Sequence, residues 1–194
     1  MDNKQETKKQ IILFGASLDP IHIGHLGFVS VLVKKNPNAK IIVLPSKNRL
    51  KSAEWISIED RIESAKLAFS ETPQVEVVNW ALTDDVSSTY EVTEKMQLRN
   101  PGADIFISAG ADVIQTLPMW KNFSKLITEK KWIILTRNSV LSKYCEEDWI
   151  KDFLKNVTIL DYKSPCSSTA IREDRLLDLI PQKARIYLKQ KGYF

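Results

Sequence analysis

A chain of 194 residues, 43% hydrophobic and 27% charged, has the length and balance of one ordinary globular domain with a proper core. Its formal charge of +4 is small and not clustered, which argues against a surface that coats nucleic acid and suits local anion sites. Cys145 and Cys166 lack CxxC spacing and a nearby histidine, so neither a zinc site nor a redox pair is signalled, and a reducing, cytoplasmic setting is expected.

Residues 1–9 are polar and lysine-rich and are expected to form a flexible tail, not a signal peptide. No later segment is long and apolar enough to cross a bilayer, so a single soluble domain is expected over residues 10–194. Ile11-Ile12-Leu13-Phe14 reads as a strand, and Gly15-Ala16-Ser17-Leu18-Asp19-Pro20 as the loop that ends it. His22-Ile23-Gly24-His25 then opens a helical apolar period that closes at Lys34 and Lys35. Further strands are expected at 41–44, 75–78, 105–107, 132–135 and 157–160, with helices over 57–69, 90–99 and 147–154. A helical run through Ile114 and Leu117, and a helical pair ending near Lys189, complete the pattern. Short strands alternating with helices, without hairpin dipeptides, predict a doubly wound α/β fold with a mostly parallel sheet and a short helical C-terminus.

Polar and glycine-containing loops recur after Phe14, after Ile107 and after Leu135, and ligands of open α/β sheets sit at that edge. In the first, His22 and His25 are the only histidines of the chain, and their spacing puts both rings on one face of a helix start, beside unpaired backbone N–H groups. Such a corner suits phosphate. A lone histidine there would more often be an ordinary cap or surface residue, and a metal site would need a third ligand that the neighbourhood lacks. No GxGxxG or GxxxxGK[ST] pattern is present. Farther along, Ser167-Ser168-Thr169-Ala170-Ile171-Arg172 puts hydroxyls at a helix start and an arginine one turn on, a second phosphate grip or a plain N-cap with a solvated arginine. Gly110 to Trp120 begins after another strand and carries Asp112; Trp120 alone would more often be core than a stacking platform.

Taken jointly, these segments resemble the nicotinate or nicotinamide mononucleotide adenylyltransferases of the HxGH nucleotidyltransferase superfamily. The likeness rests on Gly15 to His25, Gly110 to Trp120, Ser167 to Arg172, and Leu179-Ile180-Pro181 with Tyr187. It implies a Rossmann-like nucleotidyltransferase fold and the joining of AMP from ATP to a pyridine mononucleotide, with Mg2+ carried by ATP. His22, His25 and Arg172 are the catalytic residues that the resemblance implies. Gly15, Ala16, Ser17, Gly110, Asp112, Ser167, Ser168 and Thr169 join them around ATP, and Lys51, Thr89, Trp120 and Arg137 lie along the acceptor.

Three segments differ from the pattern of that family. Ala16-Ser17-Leu18 stands where bacterial members prefer Gly-Thr-Phe, the loop at Pro45 lacks Pro-Pro-His-Lys, and Thr89-Tyr90-Glu91-Val92-Thr93 matches Ser-Tyr-Thr-x-Asp loosely. The last two regions shape the acceptor pocket, so a sister transferase with another phosphorylated acceptor, or a non-catalytic nucleotide sensor, remains an alternative. Neither a nucleic-acid nor a membrane partner is expected, and a homo-oligomer is left open.

Overall fold

Gln10–Ala16 forms β1, and Ile12 and Phe14 face one side of it while Ile11 and Leu13 face the other, all four buried. Burial on both faces is what a central parallel strand requires, and it explains why the sequence reads as a continuous apolar run. The computed structural model describes residues 8–46, 54–83, 88–136, 148–162, 164 and 166–194. In chain order β1 is followed by α1 (Ile23–Lys35), β2 (Lys40–Pro45), α2 (Ile58–Ala68), β3 (Val75–Val77), α3 (Trp80–Thr83), α4 (Thr89–Arg99) and β4 (Asp104–Gly110). Then come α5 (Phe123–Glu129), β5 (Lys131–Thr136), α6 (Asp148–Leu154), β6 (Val157–Asp161), α7 (Ser168–Glu173) and α8 (Gln182–Gln190).

The six strands lie in the order β3-β2-β1-β4-β5-β6, every pair parallel. One face is covered by α1, α2, α7 and α8, whose Phe28, Leu32, Ala65, Ile171 and Leu188 pack on Ile12, Phe14, Ile41, Val43 and Ile133. On the other face Val92 and Met96 of α4 cover Ile11, Leu13 and Ile42, while Leu126 of α5 and Phe153 of α6 surround Trp132. Trp132 is fully buried and its indole N–H donates to the Leu126 carbonyl at 2.9 Å, so its polar edge is satisfied inside the core. This is the doubly wound architecture expected from the strand and helix alternation.

Three details differ from the sequence reading. The run through Ile114 and Leu117 is two 3-10 turns, Ala111–Gln115 and Leu117–Met119, because Pro118 has no N–H with which to continue a longer helix. Trp80–Thr83 forms a helical turn between the strand at 75–78 and the helix at 90–99, where the sequence reading places no element. Phe123–Glu129 is a helix that the sequence reading passed over; its start follows Asn122 in the left-handed region, at φ 61°, instead of a side-chain cap.

One carboxylate of α2 gathers the hydroxyls of the C-terminal segment. Asp60, in the first turn of α2, accepts from the hydroxyls of Tyr187 at 2.5 Å, Tyr193 at 2.7 Å and Ser57 at 2.9 Å. Burial opposes its charge, but these hydroxyls and Lys191 outweigh that and hold the carboxyl below its ordinary value. Burial, together with the Asp60 hydrogen bond, drives the Tyr187 phenol upward.

Candidate active site at the carboxyl edge of the sheet

From β1 the chain continues one way to β2, and from β4 the other way to β5, so the carboxyl ends of β1 and β4 flank a topological switch point. Strand β1 ends in Gly15 and Ala16 there. Gly15 is exposed, and a Cβ added to it would meet nothing within 4 Å. Beside it β4 ends at Gly110, over which the Asp112 carboxylate folds, its Oδ1 2.4 Å from where a Cβ would stand.

Past Ser17 the chain is anchored by apolar side chains. Leu18 and Ile21 are both buried in the core beneath the loop, next to Ile56. Leu18 adopts φ 50°, a left-handed conformation unfavourable for a branched side chain and sustained here by that burial. The Asp19-Pro20 peptide bond is cis.

His22 is the N-cap of α1, not a residue of its first turn. The Gly24 N–H donates to His22 Nδ1 at 3.1 Å, and the His22 N–H donates to His25 Nδ1 at 3.2 Å. A ring nitrogen that accepts carries no proton, so each neutral imidazole bears its proton on Nε2 and presents that edge as a donor. The rings stack with centroids 3.7 Å apart and planes 26° from parallel. His22 is buried and His25 half-buried. One expectation is corrected: the amides of Gly24 and His25 are engaged by the His22 ring and carbonyl and are not unpaired donors. Capping explains the change, because a side chain that accepts from the first turn satisfies the donors it sits over.

Gly24 is compelled by its surroundings. A Cβ there would lie 2.3 Å from Ser164 Oγ and 2.8 Å from the His22 ring. The Gly24 carbonyl also accepts from the Tyr162 hydroxyl at 2.8 Å, which ties the loop after β6 to the head of α1.

Arg172 on α7 reaches the same corner from 153 residues away, donating through Nη1 to the Asp19 carbonyl and lying 3.8 Å from the Asp19 carboxylate. Ser168 Oγ donates to the Pro20 carbonyl at 3.1 Å, Ser167 Oγ caps α7 by accepting from the Ala170 N–H at 3.1 Å, and Thr169 Oγ1 accepts from Arg172 Nη2 at 3.3 Å. The structure therefore brings Gly15, Ala16, Ser17, His22, His25, Ser167, Ser168, Thr169 and Arg172 to one corner, with Gly110 at the end of the adjoining strand and Asp112 in the turn that follows it.

Among the described residues Trp120 and Thr89 are linked only through their neighbours. Lys121, next to Trp120, pairs with Glu91 of α4 at 2.5 Å, while Thr89 opens that helix. Trp120 is half-buried against the core, its ring centroid 6.3 Å from that of Trp132. Lys51 and Arg137 lie outside the described residues. Among the described residues no group of three or more His, Cys, Asp or Glu side chains could hold a metal ion.

Two partners of this corner escaped the sequence reading. Asp19 is buried and its carboxylate accepts from the backbone N–H groups of Trp55 at 3.1 Å and Ile56 at 2.9 Å. Arg61 reads as the polar side of an amphipathic helix, yet its side chain is fully buried beneath Ser17. No local signal distinguishes either from a solvated charge; a buried site is visible only once the loops close over it.

The chain belongs to the cytidylyltransferase-like family, whose model matches residues 13–174. The adenylyltransferase resemblance read from the sequence is borne out by its relatives. It is 30% identical to the probable nicotinate-nucleotide adenylyltransferase of Clostridium tetani, covering 96% of this chain and 99% of that one. At 28% identity it is similar to the protein of the same name from Methylacidiphilum infernorum, covering 98% and 95% of the two chains. In fold it is similar to the nicotinic acid mononucleotide adenylyltransferase of Plasmodium falciparum complexed with NaAD, with a TM-score of 0.78 at 18% identity over 95% of this chain and 97% of that one.

Proposed function

We infer that the chain is a nucleotidyltransferase that joins the AMP moiety of ATP to nicotinate mononucleotide, or to its nicotinamide counterpart, and releases pyrophosphate, a step of NAD biosynthesis. The relatives named above carry that activity in their names. The observation that bears most weight is the meeting of His22, His25 and Arg172 around the Asp19-Pro20 turn at the switch point.

A phosphate oxygen of the mononucleotide attacks the α-phosphorus of ATP in line. The bond from that phosphorus to the bridging β-phosphate oxygen breaks, and pyrophosphate leaves with the electron pair. The acceptor brings its own nucleophile, so the protein needs to position the two reactants and stabilise charge growing on the leaving group. In this reading the Nε2–H edges of His22 and His25 donate to phosphate oxygens, and Arg172 neutralises the same tail from the other side. The exposed Gly15 lets a phosphate approach the backbone. Asp112 takes the ribose side, and Trp120 stacks on the pyridine ring with Thr89 close by. Mg2+ arrives bound to ATP, since imidazole N–H and guanidinium groups suit anionic oxygens rather than a metal cage.

Incubation with MgATP and either mononucleotide, followed by pyrophosphate detection, tests the reading. Product with nicotinate mononucleotide supports it, and the ratio of kcat/KM for the two acceptors sets the preference. Nucleotide binding without pyrophosphate from either acceptor would instead support a sensor of the same fold.

A further inference from the structure

Arg61 is a charge in the wrong place for stability alone. Its side chain is fully buried on α2, and its one carboxylate partner among the described residues, Glu54, is itself a third exposed, with Nη2 to Oε1 at 2.7 Å. Burying a guanidinium costs several kcal/mol, and an apolar side chain of similar volume is often at least as stabilising in such a position. What the guanidinium does that an apolar group could not is grip two loops at once. Nη1 donates to the Ser17 carbonyl at 2.8 Å and the Ser46 carbonyl at 3.0 Å, and lies 3.3 Å from Ser17 Oγ.

Those two carbonyls belong to different halves of the reaction. Ser17 sits in the loop after β1, which carries the corner assigned to the ATP phosphates; Ser46 follows the end of β2 at Pro45, in the region that the family resemblance gives to the acceptor. Asp19 adds a second strap across the same gap through the Trp55 and Ile56 N–H groups. We propose that Arg61 is a positioning residue for the transfer, holding the loops after β1 and β2 in one fixed relation so that the acceptor phosphate lies in line with the α-phosphorus. The proposal rests on the adenylyltransferase reading above. An attack geometry of about 3–3.5 Å tolerates little slack, and a displacement of about 1 Å can cost a hundredfold in rate. Each substrate still finds its own loop, so the loss falls on kcat and not on either KM.

Arg61→Lys is the discriminating variant, because an ammonium keeps the charge but lacks the planar fork that meets two carbonyls and a carboxylate together. The expected result is a folded protein by circular dichroism whose kcat falls by roughly ten- to a hundredfold, with both KM values within about threefold of wild type. A purely structural arginine would lower the fraction of active molecules and leave the turnover of the folded fraction unchanged, so active-site titration accompanies the assay. Wild-type kcat in folded Arg61→Lys overturns the proposal, as does a loss accounted for by the unfolded fraction. Should Arg61→Lys not fold, Glu54→Gln loosens the guanidinium from the rim of the same cleft. A lowered kcat at unchanged KM in that variant supports the proposal, and an unchanged kcat overturns it. Failure of the parent reading looks different: wild-type protein then forms no pyrophosphate with either acceptor.

Discussion

The guanidinium of Arg172 is tethered to Asp19, donating to its backbone carbonyl and standing 3.8 Å from its carboxylate. The side chain is about a quarter exposed, with Nη1 on the turn and Nη2 donating to Thr169 Oγ1. Such an arrangement preorganises a cation beside the histidine corner before a polyphosphate arrives, which is where electrostatic catalysis gains most. Arg172→Lys keeps a charge but cannot hold the Asp19 carbonyl and reach a phosphate in the same geometry. Turnover is expected to fall at least tenfold, about 1.4 kcal/mol of transition-state stabilisation. Wild-type turnover in this variant would remove Arg172 from the reaction.

The histidines act at two levels, and substitutions can separate them. His22→Ala and His25→Ala are expected to lower kcat by two or more orders of magnitude, about 3 kcal/mol, while binding of an ATP analogue weakens much less. His22→Asn retains an N-cap side chain and so should keep most of the thermal stability while turnover is still lost. Equal weakening of kcat and analogue binding would show that the pair only binds.

Gly15 and Gly24 make a contrasting pair. At Gly24 an added methyl collides with Ser164 Oγ and the His22 ring, so Gly24→Ala should displace the imidazole and cost both stability and turnover. At Gly15 the same methyl meets open space, so Gly15→Ala should leave the melting temperature within about a degree while raising the KM for ATP. A Gly15→Ala enzyme with wild-type ATP kinetics would place the phosphates elsewhere.

Trp120→Ala should raise the acceptor KM by roughly tenfold or more, matching a stacking energy of about 1–3 kcal/mol. Its second role complicates nothing if stability is read alongside, because the loss of its contact with Trp132 appears in the melting temperature and not in KM. An unchanged acceptor KM takes Trp120 out of the pocket.

The Asp60 cluster gives a pH signature of stability. Asp60 has a folded-state pKa below its ordinary value of 3.8, so its contribution is complete above that value and fades as the pH falls through the lower, folded one. Tyr187 moves upward, so its contribution is complete below its ordinary value of 10 and is lost only in stronger alkali. Tyr187→Phe removes a hydrogen bond to a charged group and should cost about 1.5–3 kcal/mol at neutral pH, with a shallower acid transition below pH 4. Acid titration of the unfolding midpoint in both proteins measures this; parallel curves would show that Asp60 does not depend on Tyr187.

Alternating apolar runs and helical periods are local properties, set by side-chain direction along a strand or helix, and they were enough to predict a doubly wound sheet and the loops at its carboxyl edge. The two histidines also declared themselves, being three residues apart at a strand-to-helix junction. What the chain's order could not convey is which distant groups those loops would meet. Arg172 joins Asp19 across 153 residues, and Arg61 reaches Ser17 across 44, contacts decided by how the helices pack on the sheet. For the same reason Arg61 looks like a solvated helix charge in the sequence and is a buried clasp in the fold: the sequence records its charge, while burial depends on the loops that close above it.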